Sequence, residues 1–231
     1  MSIAERVRLV QDRIAEAAVC AGRRPEEITL VAASKTKPTA DIREAIRAGV
    51  RAVGENRCQE LVEKRAENAY EGASLHFIGH LQQNKLRYLV GVAELIHSVD
   101  SETLLREVER RAARLELVQD ILLQVNIGGE ESKGGIEPAR LSELCQLAGT
   151  LPHVRLRGLM AIPPVYTGGE KYPYFSAMYR LFVDIMGKKY DNISMEILSM
   201  GMSADYAAAI SEGATMVRVG SAIFGARAYT I

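Results

Sequence analysis

The strongest constraint on the fold is a repeat of eight short apolar segments at intervals of about 20 to 40 residues. Each segment is rich in valine, isoleucine, leucine or alanine, and each is too short to be a typical helix. The pattern therefore predicts eight β-strands. They cover residues 30–35, 52–56, 75–80, 95–100, 121–126, 156–162, 194–199 and 216–220.

Between nearly all of these segments the apolar residues return with helical spacing. Strands that alternate with helices run parallel and are joined by right-handed crossovers. Eight such units favour an α/β fold, a single (β/α)8 TIM barrel with an extra N-terminal helix over residues 2–21. The alternative is a Rossmann-like open sheet. That sheet needs a glycine-rich turn after the first strand, where this chain has Thr36-Lys37-Pro38.

Length and composition limit the functional classes. The 231 residues suit one domain over residues 1–231, and 29 basic residues balance 29 acidic ones. This balance argues against nucleic acid or an acidic membrane as partner, and no apolar run approaches the roughly 20 residues of a membrane span. Cys20, Cys58 and Cys145 are too widely spaced for a disulfide framework or a zinc site. With no signal-peptide core at the N-terminus, the chain is predicted to be cytoplasmic.

Lys35 is the first candidate functional residue. It ends the first predicted strand, and in parallel α/β folds the carboxyl ends of the strands carry the chemistry. The period of two places Val31, Ala33 and Lys35 on one face, so the amine is predicted to lie above small side chains in the interior. Desolvation lowers the pKa of a lysine, and the neutral amine is a nucleophile toward carbonyls. A solvated lysine without function is the alternative.

Further polar or sulfur-containing residues are predicted at the same end of the barrel. Several such groups converging on one mouth are what a small-ligand site needs, although asparagine and serine at strand ends also serve as helix caps. These residues are Asn56, His80, Asn126, Met160 and Ser199.

The last two strands add an anion site. Ser203 follows a glycine-containing turn before a helix, and Gly220 with Ser221 begins a second turn. Alternation along the eighth strand directs Arg218 into the barrel, where a guanidinium needs a partner. Loops after strands seven and eight form the usual phosphate site of these barrels. Amine, arginine and phosphate cradle together indicate pyridoxal 5'-phosphate, held as a Schiff base.

Three other features are interpreted as structural or left open. His76 and His80 would stand about 13 Å apart on a strand, too far to share a metal. The glycine-rich segment 128–133 lacks the order of a phosphate-binding loop. The segment 163–173, with three prolines and the nearby Tyr166, Tyr172 and Tyr174, is either a lid or a plain insertion.

Several motifs in order make the chain similar to a known family. They are Ala33-Ser34-Lys35, Gly54-Glu55-Asn56, the segment 76–85, Gly158-Leu159-Met160, the segment 199–205 and Arg218-Val219-Gly220. Together they resemble the YggS-type pyridoxal phosphate homeostasis proteins, which share the barrel of the alanine racemase N-terminal domain. One position departs from the pattern, because Gly134 stands where a polar residue is expected.

The resemblance implies that the cofactor is bound on Lys35, that Arg218 faces the pyridine nitrogen, and that Ser199, Ser203, Gly220 and Ser221 surround the phosphate. Asn56, Met160 and Met200 complete the predicted cofactor site. The resemblance implies that the chain binds and delivers pyridoxal phosphate, so the expected function is an intracellular carrier or buffer. It is expected to be a monomer, with apo enzymes of the same cofactor as acceptors and with no catalytic residue. A racemase or related enzyme of the same cofactor is the alternative, as is a barrel that holds another phosphorylated metabolite without a covalent bond.

Overall fold

Eight parallel strands form a closed barrel in the computed structural model, which describes residues 1–130, 134–164, 172–188 and 192–225. The strands pair in chain order, and β1 pairs with β8 to close the ring. This confirms the predicted barrel and excludes the open sheet. The strands are β1 Thr29–Ala33, β2 Ala52–Glu55, β3 Ser74–Phe77, β4 Leu95–Val99, β5 Gln119–Val125, β6 Val154–Ala161, β7 Ile193–Ser199 and β8 Met216–Val219.

The helices surround this barrel. They are α1 Ile3–Cys20, α2 Thr39–Arg47, α3 Cys58–Ala66, α4 Glu102–Arg114, α5 Leu141–Gly149, α6 Pro173–Met186, α7 Tyr206–Ser211 and α8 Ser221–Phe224. The connection between β3 and β4 contains a 3-10 helix, Gln83–Tyr88, where the sequence predicts a helical segment over 81–89. The apolar pattern identifies the buried Leu86 and Leu89, but it does not distinguish the two helix types.

The buried side chains form two groups. The larger group lies between the strands and the helices, and it includes Val217 and Val219 of β8. The smaller group lies inside the barrel, as the alternation of strand side chains requires. Its members are Val31, Ala52, Leu95, Leu122, Met160 and Met216.

The N-terminal helix packs in the helical layer beside the strands that close the barrel. Ser2 and Glu5 form a capping box at its start, and its buried face carries Val7, Val10 and Ile14. This face packs against α2, α7 and α8. Within the described ranges, no helix combines the length and the apolar character that crossing a bilayer requires.

Candidate functional site

One cavity at the carboxyl ends of β1 and β8 brings together five of the nine residues of the predicted cofactor site, namely Lys35, Ser203, Arg218, Gly220 and Ser221. Its volume is about 280 Å³, near the lower end of the roughly 300–1,000 Å³ range of small-molecule sites. The residues that line it are Ala33, Lys35, Lys37, Met202, Ser203, Ala204, Arg218, Gly220, Ser221, Phe224 and Gly225.

Lys35 lies in the turn after β1, two residues beyond the last strand residue, Ala33. The sequence pattern placed Lys35 in the strand itself. The chain turns here because Thr36 adopts the left-handed conformation, with φ of 64°, and the backbone N–H of Lys37 donates to the carbonyl of Ser34. The Lys35 side chain is therefore half-buried at the cavity rather than fully enclosed by the barrel.

A buried ion pair lies behind this turn. The Glu55 carboxylate, at the end of β2, accepts hydrogen bonds at Oε1 from Ser34 Oγ (2.5 Å), Lys64 Nζ (2.7 Å) and Tyr70 Oη (3.2 Å). Lys64 Nζ, on α3, also donates to the carbonyl of Ser34 at 3.0 Å. Tyr70 stays protonated, because burial and the Glu55 carboxylate raise the pKa of its hydroxyl. The cluster therefore anchors the residue directly before Lys35.

The residue after Lys35 is anchored by the same helix. Glu60 Oε2 accepts a hydrogen bond from the backbone N–H of Thr36 at 2.7 Å, and it lies 3.3 Å from Lys64 Nζ. Both neighbours of Lys35 are thus bound to α3 side chains, which limits the positions that the amine can reach.

Arg218 lies on the inner face of β8 and is only 4% exposed. Its guanidinium donates from Nη1 to Ser199 Oγ at 2.6 Å and from Nη2 to the carbonyl of Ala161 at 2.8 Å. Burial lowers the pKa of Arg218 to about 10, while Asp205 acts in the opposite direction. The group is therefore a cation and a pure donor at neutral pH.

Ser203 connects the loops after β7 and β8. Its Oγ lies 3.1 Å from the backbone nitrogen of Gly220 and 3.5 Å from that of Ala222, and it accepts from both. Gly220 also lies close to the end of β1, because a Cβ added to it would stand 3.1 Å from the carbonyl oxygen of Ala33. Lys37 Nζ donates to the carbonyl of Phe224 at 3.0 Å and closes the same side.

The charges around the cavity favour an anion. Lys35, Lys37 and Arg218 line it, and none of the described lining residues is a carboxylate. A low-dielectric cleft lined by one sign of charge concentrates ligands of the opposite sign. The donor set therefore fits a small anionic molecule that also offers a group reactive toward an amine.

The remaining predicted residues take different places. Ser199 is fully buried and contacts Arg218. Met160 lies in the interior core below the cavity, whereas Met200 packs in the outer core, and neither lines the cavity. Asn56 follows β2, and its buried Oδ1 has no hydrogen-bond partner among the described residues.

Sequence reasoning missed three functional candidates. Glu55 stands in a motif that was recognised but was not assigned a role, and Lys64 resembles any solvated helix lysine until α3 packs on β2. His97 shares the inner face of β4 with Leu95, so the period of two could have placed it in the interior.

The two histidines and the described parts of the loop segments that the sequence did not assign to the site do not line the cavity of Lys35 and Arg218. His76 lies inside the barrel and contacts His97, whereas His80 is exposed after β3. A larger cavity, about 710 Å³, opens beside α4, but its Arg106 and Arg110 are already paired with glutamates. Tyr172 stacks on Phe175 at 5.6 Å. Tyr166 and most of the 163–173 segment lie outside the described residues, as do residues 131–133.

Comparison with known proteins shows likeness to one family profile, one named relative and two solved structures. The profile of the alanine racemase N-terminal domain matches residues 11–228. A protein of Aquifex aeolicus (strain VF5) named pyridoxal phosphate homeostasis protein is 44% identical over 230 residues, which are 99% of this chain and 100% of that protein.

Two solved structures bear on the fold. PipY of Synechococcus elongatus PCC7942, solved with PLP bound, is 39% identical with a TM-score of 0.79, over 92% of this chain and 100% of PipY. An alanine racemase of Streptomyces lavendulae is only 18% identical, with a TM-score of 0.73 over 97% of this chain and 58% of the racemase. The second likeness concerns the barrel alone.

Proposed function

The chain belongs to the family of pyridoxal phosphate homeostasis proteins, and from that premise we propose that it binds pyridoxal 5'-phosphate as a Schiff base on Lys35 and acts as an intracellular carrier of the cofactor. Its relative PipY has been solved with PLP bound, which supports the same ligand for this chain.

One observation carries the proposal. The half-buried amine of Lys35 and the buried guanidinium of Arg218 line a single cavity that has no carboxylate among its described lining residues. When bound, the cofactor would supply an aldehyde, with which the ε-amino group of Lys35 could form a Schiff base by loss of one water molecule. Of the residues that line this cavity, Ser203, Gly220 and Ser221 would hold the phosphate, and Arg218 would face the pyridine nitrogen.

The chemistry of Arg218 favours a carrier over an enzyme. A guanidinium donates hydrogen bonds and stays protonated at neutral pH, so it leaves the pyridine nitrogen without a proton. An unprotonated ring withdraws electrons less strongly and supports carbanion chemistry poorly. The proposed acceptors are apo forms of enzymes that use the same cofactor. The proposal also includes a cytoplasmic monomer built as one domain over residues 1–231, and the single closed barrel of β1 to β8 supports the one-domain assignment.

The proposal is tested by trapping. Purified protein is incubated with pyridoxal phosphate, its absorbance is recorded, and the product is reduced with borohydride and digested for mass analysis. The cofactor mass is expected on the peptide that contains Lys35, and Lys35→Ala should lose both the label and the absorbance band. Lys188→Ala, which removes a surface lysine bonded to Ser142, is the control and should retain both.

Two outcomes would contradict the proposal. Binding of pyridoxal phosphate that leaves no cofactor mass on the protein after borohydride reduction would mean a non-covalent site for a phosphorylated metabolite. Exchange of the α-proton of amino acids in deuterated water, present in the wild type and lost in Lys35→Ala, would replace the carrier with an enzyme.

A further inference from the structure

A line of hydrogen bonds crosses the barrel interior and ends at Arg218. Ser74 Oγ lies 3.0 Å from His76 Nε2, and His76 Nδ1 lies 3.0 Å from His97 Nε2. His97 Nδ1 lies 3.1 Å from Ser199 Oγ, which accepts from Arg218 Nη1 at 2.6 Å. The line passes through β3, β4, β7 and β8, and all of its members except Ser74 are buried.

The donor and acceptor inventory gives this line a direction. Arg218 has only hydrogens to offer, so Ser199 Oγ must accept from it. The Ser199 hydroxyl hydrogen is then available to His97 Nδ1, which accepts only if the proton of that ring is on Nε2. His97 Nε2–H in turn donates to His76 Nδ1, and His76 Nε2–H donates to Ser74 Oγ.

The opposite direction satisfies fewer groups. If His97 carried its proton on Nδ1, Ser199 Oγ would receive hydrogens from both His97 and Arg218. The Ser199 hydroxyl hydrogen would then have no acceptor among the described contacts of this residue. A buried donor without an acceptor costs about 1–3 kcal/mol. The direction away from Arg218 is therefore favoured.

We propose that His97 is a positioning residue: as a neutral ring with its proton on Nε2, it holds Ser199 and thereby orients the Arg218 guanidinium in the cavity. The tautomer follows from the hydrogen bonds alone. The consequence for a bound cofactor rests on the proposed function.

The charges that face His97 agree with a neutral ring. Burial lowers the pKa of His97 well below its usual value, and His76 and Arg218 act in the same direction. Burial also lowers the pKa of His76 to about 4. The carboxylate that acts on Arg218 is Asp205, and it does not contact either histidine in the described hydrogen bonds. A proton on His97 would place a second cation against the Ser199 hydroxyl.

The first test needs no cofactor. Nitrogen-15 NMR of the full-length protein at pH 7, with His97→Asn used to assign the signals, reports the protonation of each ring nitrogen. The expected result is a neutral His97 with the proton on Nε2. A charged ring, or a neutral ring with the proton on Nδ1, would overturn the proposal whatever the protein binds.

The second test compares substitutions with pyridoxal phosphate as the probe. His97→Leu removes the acceptor that faces Ser199, whereas His97→Asn can place an amide oxygen near the position of Nδ1. The loss of one such hydrogen bond corresponds to about tenfold weaker binding. We expect His97→Leu to show this loss with an altered absorbance spectrum, and His97→Asn to restore most of it. Leu122→Ala, an apolar change in the same interior, is the control for packing and should leave the spectrum unchanged.

Ser199→Ala keeps the test decisive if His97→Leu does not fold. It should reproduce the spectral change, and His97→Asn should have little further effect in that background, because the two residues act in series. A wild-type spectrum and affinity in Ser199→Ala or His97→Leu would refute the positioning role. If the wild type takes up no cofactor, the proposed function fails while the NMR result still decides the tautomer.

Discussion

Glu55 and Arg218 are charged groups that enter the core of this protein, and each has hydrogen-bond partners there. The Glu55 carboxylate is fully buried and accepts hydrogen bonds from Lys64, Ser34 and Tyr70. Arg218 is matched by a hydroxyl and a backbone carbonyl. Such groups contribute little net stability, but each becomes costly when its partner is removed. Their arrangement fixes the residues on either side of Lys35 and behind the cavity.

Replacing Lys64 with methionine should therefore destabilise the protein strongly. The substitution leaves the Glu55 carboxylate buried without its cation, and breaking a buried pair in this way costs about 3–5 kcal/mol. Urea unfolding of Lys64→Met measures the loss. The double substitution Lys64→Met with Glu55→Gln removes the orphaned charge and should recover part of it. Equal stability of the single and double variants would contradict the role of the ion pair.

At the scale of elements, β6 depends on a bulge at Gly158. The pairing register with β5 and with β7 shifts next to this residue, and its φ is 151°. A Cβ added there would stand 1.8 Å from the carbonyl oxygen of Ile197 on β7. The bulge re-aims the end of β6, so that Met160 lies inside the barrel and the carbonyl of Ala161 reaches Arg218.

Gly158→Ala should accordingly be far more damaging than an ordinary glycine substitution. Backbone atoms of β7 would have to move, and a loss of about 4 kcal/mol or more is expected. Gly22→Ala is the matched control, because Gly22 also has positive φ but would meet no atom within 4 Å. Its cost should be only about 1–2 kcal/mol. Similar thermal unfolding of the two variants would show that the close approach to Ile197 is not rigid.

At the scale of the whole molecule, closure of the barrel depends on α1 and the segment after it. β1 pairs with β8, and α1 packs over α7 and α8 on the outside of this seam. Arg23, just after α1, donates to the carbonyls of Ile210 and Ala214 at 3.2 and 2.7 Å. The N-terminal segment thus holds the elements that precede β8, the strand that carries Arg218.

Substitution of two adjacent arginines tests whether the Arg23 contacts hold α7 and β8 in place. Arg23→Met loses both carbonyl contacts and should lower the free energy of unfolding by about 2 kcal/mol. Arg24→Met is the control, since Arg24 is largely exposed and pairs only with Glu27 in the described contacts, which is worth less than about 1 kcal/mol. Hydrogen exchange should rise in α7 and β8 for the first variant alone. Unchanged hydrogen exchange in α7 and β8 would show that the Arg23 contacts do not hold these elements.

The buried histidines make the stability of the whole molecule depend on pH. Burial lowers the pKa of His76 to about 4, so below its ordinary value of 6.5 the unfolded chain binds more protons than the folded one. Stability is then complete above pH 6.5 and falls as the pH drops toward 4. His76 alone should account for about 2 kcal/mol between pH 7 and pH 5.

Urea unfolding at pH 7 and pH 5 measures this loss, and His76→Asn should remove the part that belongs to His76. Hydrogen bonding by Arg110 lowers the pKa of Glu107 to about 2, but that group acts below pH 4.5 and does not affect the comparison. An equal loss in the wild type and in His76→Asn would contradict the burial of a neutral ring at this position.

The sequence by itself determined the elements and their order. Alternating strand and helix patterns predicted eight strands, and the period of two placed Arg218 inside the barrel and its valine neighbours outside. These signals are local, because burial on one face of a strand leaves its mark on every second residue. The motif around Lys35 was recognised in a different way, through its resemblance to a known family.

Only the tertiary structure decided which distant side chains meet. Lys64 reaches Glu55 because α3 folds back on β2, and His97 reaches Ser199 because β4 and β7 face each other across the barrel, 102 residues apart in sequence. No local pattern records such contacts, since a lysine on a helix and a histidine on a strand have the same sequence signature whether they are solvated or paired. Closing the ring of strands brings these groups together and removes the water that would otherwise separate them.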